Sequence, residues 1–171
     1  MIGHREMRRA KRAVDNLDEL RGIIEKCPVV RIGSHDAEGV FIVPMSFGYE
    51  IEASDGGADA HWTFWLHCAA EGRKTDAWAA DPQVALELDV PVGVIGGDYS
   101  CAYSYAYESV MASGRASRVA DPAQKVRGLK AIMAHMAPGA PVEFRPEAVE
   151  RVDVWRVDVE HLTGKRREKP G

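Results

Sequence analysis

The stretch HWTFWLHCAAEGRKTDAWAA, residues 61–80, decides the fold prediction. Its first seven residues are rich in aromatic side chains, which is typical of a strand. From Gly72 a short helix is predicted, which Asp81-Pro82 closes. The start of such a helix offers unpaired amides and a positive dipole end to an anion. Because Arg73 and Lys74 add two charges, the stretch predicts a site for a terminal phosphate; a solvated surface pair is the alternative.

Upstream of this stretch lies a hairpin whose second strand contains a proline. The turn at residues 35–39 joins a strand at Val29–Gly33 to the run Val40–Tyr49. Since Pro44 cannot donate to a ladder, this run is an edge strand or carries a bulge. Backbone groups left unpaired there could bind a flat heteroaromatic ring, and Ser46 adds a hydroxyl. An edge strand protected from aggregation is the simpler alternative.

The whole chain predicts a mainly β fold: a six-stranded antiparallel β-barrel with two to three helices. Turns of hairpin length join most strands, and one long helix precedes the last strand, which favours a closed antiparallel sheet over a doubly wound fold. A helix cap is predicted at Asn16 and another at Asp121, followed by Pro122. The strands are predicted at residues 29–33, 40–49, 61–67, 84–90, 103–119 and 152–159, with a glycine-rich loop at 91–98.

Four of the five tyrosines are concentrated between residues 99 and 107. Tyr103, Tyr105 and Tyr107 share one face of the predicted strand because alternate residues point the same way. Such an aromatic wall can line a planar ligand or a subunit interface. An aromatic face of the core is the alternative.

Composition excludes several classes of protein. The 171 residues carry 22 Lys and Arg against 26 Asp and Glu, so the basic footprint of a nucleic-acid-binding domain is absent. No apolar run approaches the roughly 20 residues of a membrane helix. The basic start runs into a charged segment rather than an apolar signal sequence, so we expect a cytoplasmic protein. We predict one domain, 1–171, with its core at about 10–165 and a flexible tail at 166–171.

Motifs for metal binding or nucleophilic catalysis are weak. His61 and His67 share a strand face but stand roughly 20 Å apart, too far to ligate one ion. The three cysteines form no C-x-x-C pair, and no G-x-S-x-G elbow occurs. His67 and Cys68 are strand neighbours that point to opposite faces, which argues against a Cys–His pair. We therefore predict no metal site.

Together these segments resemble the pyridoxamine 5′-phosphate oxidase-like flavoproteins with a split β-barrel, most closely the nitroimidazole-resistance branch. The resemblance runs from about Met7 to Lys165 and rests on the order and spacing of its motifs. They are Met-Arg-Arg at 7–9, Val-Pro-Met-Ser-Phe-Gly-Tyr at 43–49, Leu-His-Cys-Ala-x-Glu-Gly-Arg-Lys at 66–74, Tyr-x-Ser-Val at 107–110 and Thr-Gly-Lys at 163–165.

The resemblance implies a homodimer with FMN in clefts at the subunit interface. The isoalloxazine would lie along the strand of Val43, Pro44, Met45, Ser46 and Phe47. His67, Cys68 and Ala69 would lie near the ribityl chain and ring, and Gly72, Arg73 and Lys74 at the phosphate. The other subunit would contribute Tyr107, Ser109 and Val110.

The function that follows is an FMN-dependent oxidoreductase. A nicotinamide or redox partner would supply electrons to a small planar acceptor, such as a nitro compound, with His67 as the proton donor beside the ring. A non-catalytic module that binds flavin, deazaflavin or haem as a sensor, carrier or sequestering protein is the alternative. A structural dimer with a decayed pocket is a third.

Overall fold

The computed structural model describes residues 7–53 and 60–170. Eight strands and four α-helices occur in these ranges, together with two short 3-10 turns. The strands are β1 (Ala13–Val14), β2 (Val30–Asp36), β3 (Gly39–Met45), β4 (Phe47–Ala53), β5 (Ala60–Cys68), β6 (Gln83–Ile95), β7 (Ser104–Arg118) and β8 (Asp153–Arg167). The helices are α1 (Leu17–Glu25), α2 (Arg73–Ala80), α3 (Pro122–Met136) and α4 (Pro146–Arg151).

The strands form one sheet in the order β3-β2-β6-β7-β8-β5-β4, and β1 pairs with β8. Strand β2 pairs antiparallel with β3 and β6, and β5 pairs antiparallel with β4 and β8. The architecture is therefore the predicted mainly antiparallel β fold with a few helices.

The chain divides into two compact units. The first comprises the described parts of 1–27, 88–111 and 163–171, and the second comprises 28–87 and 112–162. In the first unit, Ile23, Ile24 and Val110 are completely buried. In the second, Trp65, Ile132 and Val154 pack together as a hydrophobic cluster.

The predicted hairpin is confirmed, but the prediction of one continuous strand over residues 40–49 is wrong. Strand β2 pairs with β3 through the turn after Asp36, and Pro44 lies on β3, at one edge of the strand order. Ser46 then interrupts the run, and Phe47 begins β4 at the other edge. Because only Ser46 separates β3 from β4, the chain passes directly from one edge strand of the sheet to the other. This division and the two-residue β1 raise the strand count from six to eight.

Both predicted helix caps are confirmed. The Asn16 side chain accepts a hydrogen bond from the Glu19 amide at 3.1 Å, and Asp121 accepts one from the Gln124 amide at 2.8 Å. On α3, Gly128 and Ile132 are buried whereas Met136 is exposed, so the helix buries a narrow face.

In the second half of the chain, one prediction needs correction and one open alternative is decided. Strand β6 continues to Ile95, where a loop had been predicted from Pro91. The tyrosines do not form a core face: Tyr99, Tyr103 and Tyr105 are exposed. The β-branched residues around Pro91 extend the strand. The side chains that β7 buries are those of Ala106, Val110, Ala112 and Ala116.

Candidate functional site

No side chain caps the free backbone amides at the N-terminus of helix α2. Its N-cap, Gly72, has φ +142°, and a Cβ built there would meet no atom within 4 Å. The Thr75 hydroxyl donates to the Gly72 carbonyl at 2.7 Å, so it leaves the amides of the first turn available. The helix is fixed from its other side, where the buried Trp78 indole donates to the Ser34 hydroxyl at 2.8 Å. An open, positively polarised helix start results.

Arg73 is held by the β2–β3 turn. Its Nε and Nη2 donate to Asp36 Oδ2 and Oδ1 at 2.6 and 2.9 Å, and its guanidinium carbon lies 4.3 Å from the centre of the Phe41 ring. The hydrogen bond from Arg73 lowers the pKa of Asp36 to about 2. The charge of Arg73 is therefore already balanced by the Asp36 carboxylate. The sequence analysis missed this ion pair because it interpreted Asp36 only as a turn residue.

Lys74 points to a different group of side chains. It is half-buried, and in the described part of the chain its ammonium group has no ion-pair partner. Burial raises the pKa of the Cys68 thiol, while the charges of Lys74 and Arg118 lower it and that of Asp153 raises it. The thiol is therefore surrounded by Lys74, Arg118 and Asp153. No local sequence signal links Arg118 and Asp153 to Cys68, since all three come from different strands.

The predicted ring-binding run is placed partly at the surface and partly in the core. Pro44 is exposed, and Val43, Met45 and Ser46 are half-buried. Phe47 is completely buried, and its ring centre lies 4.2 Å from that of His135 with the two rings tilted by 40°, so only its backbone is available to a ligand. In the β4–β5 ladder Phe47 pairs with Leu66, the residue before His67.

His67 and Ala69 are exposed at the end of β5, and Cys68 is half-buried between them. His67 pairs with Val154 of β8 in the ladder, so its backbone is fixed while its ring faces outward. The role that the sequence analysis gave His67, a proton donor beside a bound ring, stays a prediction.

The remaining predicted residues, Tyr107, Ser109 and Val110, lie on β7 in the first unit. Tyr107 and Ser109 are half-buried, and Val110 is completely buried, so its side chain does not face a surface. Between them Glu108 accepts hydrogen bonds from Lys26 at 2.7 Å and Arg166 at 2.8 Å. This network fixes the strand within its unit.

The described residues lack two kinds of feature. Within 7–53 and 60–170, no three His, Cys, Asp or Glu side chains are grouped so that they could hold a metal ion. Over the same residues, no helix combines the length and the apolar character that crossing a membrane requires.

Comparison with known proteins identifies the family of the chain. The chain matches the family model for pyridoxamine 5′-phosphate oxidase over residues 16–166. No curated protein matches it. Among solved structures, a candidate 5-nitroimidazole antibiotic resistance protein from Bacteroides thetaiotaomicron is 29% identical with a TM-score of 0.73, covering 90% of this chain and 86% of that one.

Two more distant structures share the fold. The FAD and heme binding protein from Mycobacterium smegmatis is 16% identical with a TM-score of 0.76, covering 94% of this chain and 76% of that one. The flavocytochrome Anf3 from Azotobacter vinelandii is 18% identical with a TM-score of 0.76, covering 96% and 73%. With 151 consecutive residues inside the family model, the chain belongs to the pyridoxamine 5′-phosphate oxidase family.

Proposed function

We propose that the chain binds a flavin nucleotide whose FMN portion places its phosphate at the start of α2. This proposal depends on the N-terminus of α2. The space beside Gly72 is open, no side chain caps the first amides, and Lys74 is half-buried next to them. Backbone can approach a phosphate closely there, and the helix end and the lysine both stabilise negative charge. The residues present therefore fit the group that the family implies.

The ring of the flavin would lie along the residues between β3 and β4. Pro44 has no N–H, and Ser46 lies outside both strands, so backbone and hydroxyl groups near them are available for a planar heterocycle. His67, Cys68 and Ala69 would line the chain between phosphate and ring. Phe47 would contribute its backbone only, because its side chain belongs to the core.

We further propose a homodimer, in which Tyr107, Ser109 and the backbone of Val110 from a second copy complete the pocket. Six large apolar side chains are exposed in the described part of the first unit. An exposed apolar patch is typical of an interaction surface, which supports an interface with another copy. The six side chains are Val92, Val94, Tyr99, Tyr103, Tyr105 and Met111.

The activity proposed is reduction of a small planar acceptor, with nitroimidazoles as the first compounds to test because of the 29% identical relative. A bound flavin supplies hydride and electron transfer, and a nicotinamide nucleotide or a redox protein supplies the electrons. The protein binds and orients the nucleotide through Lys74 and the α2 amides. The exposed His67 holds a proton where the acceptor would meet the ring.

The visible spectrum tests this proposal directly. We expect the purified protein to be yellow, or to become so with micromolar FMN or FAD, and to bleach with NADH or dithionite and recover with a nitroimidazole. A colourless protein that takes up neither flavin would overturn it. A Soret band on adding haem, with no flavin uptake, would instead support a non-catalytic haem-binding module.

A further inference from the structure

Two basic motifs of the sequence lie together in the first unit. They are Met-Arg-Arg at 7–9 and Thr-Gly-Lys at 163–165, and neither contributes to the function proposed above. Strand β1 pairs antiparallel with β8, and Ala13 lies opposite Lys165. The 3-10 turn Ala10–Arg12 joins the first motif directly to β1. The strand pairing therefore places the first motif and its turn beside the second motif.

Five cationic side chains at this junction have no ion-pair partner in the described part of the chain. Arg8, Arg9 and Lys11 are exposed, and Arg12 and Lys165 are half-buried. We call these five residues the basic patch. Because no carboxylate balances their charges, their guanidinium and ammonium groups are available to an anionic binding partner.

Charge is distributed unevenly within the first unit. The segments 7–12 and 163–170 hold eight Lys and Arg and one Glu. The other described segments of the unit, 13–27 and 88–111, hold two Lys and Arg and seven Asp and Glu. The basic patch is therefore a local concentration of positive charge in an otherwise acidic unit, and it attracts anions to one part of the surface.

The basic patch borders the strand that we propose as a wall of the flavin pocket. Next to Lys165, Arg166 donates from Nε to Glu108 Oε1 at 2.8 Å. Glu108 lies on β7 between Tyr107 and Ser109, the residues proposed for that wall. The ion pair fixes this end of β8 against β7. A molecule that binds the basic patch is therefore held next to the strand that would meet the flavin.

We propose that the basic patch docks a small acidic electron-transfer protein, which supplies the electrons of the bound flavin; this rests on the proposed function. Opposite charge steers such a partner to the patch and speeds its association. Two reduced carrier molecules dock in turn, and each passes one electron to the oxidised flavin and leaves oxidised. The two protons that the reduced flavin requires come from water.

A nucleic acid is the other polyanion that a basic patch attracts. Its negative charge continues along the whole strand. A strand that ran beyond the patch would therefore meet the acidic remainder of the first unit and be repelled. A compact acidic protein can present its charge on one face and contact the patch alone. The distribution of charge in the first unit favours the protein partner.

Binding is tested by isothermal titration of the chain, with and without flavin, using oxidised plant-type ferredoxin, an acidic one-electron carrier. We expect the affinity to fall at least about tenfold as the ionic strength rises from about 0.01 to about 0.15 M, because the Debye length shortens from about 30 to about 8 Å. Arg9→Glu and Lys11→Glu should each weaken binding by roughly three- to tenfold. The matched control is Lys130→Glu, which makes the same change of charge on the exposed surface of α3 and should bind as the wild type does.

Three results of the titrations would overturn the proposal. They are no salt-dependent binding of ferredoxin, an equal loss of affinity in Lys130→Glu, and tighter binding of a single-stranded oligonucleotide than of ferredoxin. The last result would identify the basic patch as a nucleic-acid site instead.

Anaerobic stopped-flow bleaching of the flavin gives a second readout. Arg9→Glu should slow reduction by reduced ferredoxin by the same factor as it weakens binding, and leave reduction by dithionite nearly unchanged, because dithionite needs no docking surface. A flavin-loaded chain that dithionite reduces but ferredoxin does not would overturn the docking site while the flavin proposal stands. A chain that takes up no flavin would overturn both.

Discussion

Replacing Lys74 by alanine should weaken FMN binding strongly and leave riboflavin binding unchanged. Lys74 is half-buried at the α2 start and has no ion-pair partner in residues 7–53 and 60–170, so its charge is available to a phosphate. One charge-assisted hydrogen bond contributes about 1.5–3 kcal/mol, which corresponds to a loss of roughly 10- to 150-fold in affinity. Riboflavin lacks the phosphate and serves as the internal reference.

Arg73→Ala makes the informative comparison. The guanidinium of Arg73 already has two hydrogen bonds to Asp36, so a phosphate contact would replace a contact rather than add one. We expect its removal to cost less than about fivefold in FMN affinity. Sequence reasoning treated the two cations as equal; the tertiary contacts make them unequal.

Titrations by flavin fluorescence quenching decide the outcome. Lys130→Ala, which removes an exposed lysine from α3, controls for net charge and should behave as the wild type. Unchanged FMN affinity in Lys74→Ala would refute the phosphate assignment. An equal loss for riboflavin would also refute it, because the effect would then not depend on the phosphate.

Four further perturbations test the structure. By NMR, the pKa of the Asp36 carboxyl should be about 2 in the wild type and return toward 3.8 in an Arg73→Ala variant. Because the pKa in the folded protein is depressed, the ionised carboxyl stabilises the fold above about pH 4. This contribution is lost as the pH falls toward 2. Gly48→Ala should lower the free energy of unfolding by about 1–3 kcal/mol, since the new Cβ would lie 2.2 Å from a backbone carbon of α3. In contrast, Gly22→Ala, which meets no atom within 4 Å, should raise it by about 0.5–1 kcal/mol in denaturant titrations. Tyr105→Glu should shift light-scattering mass toward the monomer, and an unchanged dimer would remove this strand from the proposed interface.

Local chemistry made several elements predictable. Asn16 and Asp121 cap their helices through side-chain oxygens three residues away, so the signal lies within one turn. The same holds for the turn at residues 35–39 and for the strand that leads into α2 at Gly72. The family resemblance also rested on short motifs, and the match over residues 16–166 confirms it.

Other features depend on residues far apart in the chain. The sequence of β3 and β4 reads as one run, and only the pairing of each segment with a different neighbour separates them at Ser46. The exposure of Tyr103 and Tyr105 excluded the alternative of an aromatic core face, which alternation alone could not decide because it does not say which face is inside.

The sequence by itself determined the mainly β class, the helix caps, the start of α2 at Gly72 and the family. Only the tertiary structure decided which charges are available: Asp36, 37 residues from Arg73, balances that arginine and leaves Lys74 as the cation at the helix start. It also brought Arg118 to Asp153, 35 residues away, and left Asp153 Oδ2 and Trp155 Nε1 without hydrogen-bond partners among residues 7–53 and 60–170. A hydrogen bond needs its donor and acceptor about 3 Å apart in space, whatever their separation in the sequence. Partners that are far apart in the chain are therefore known only once the strands have paired.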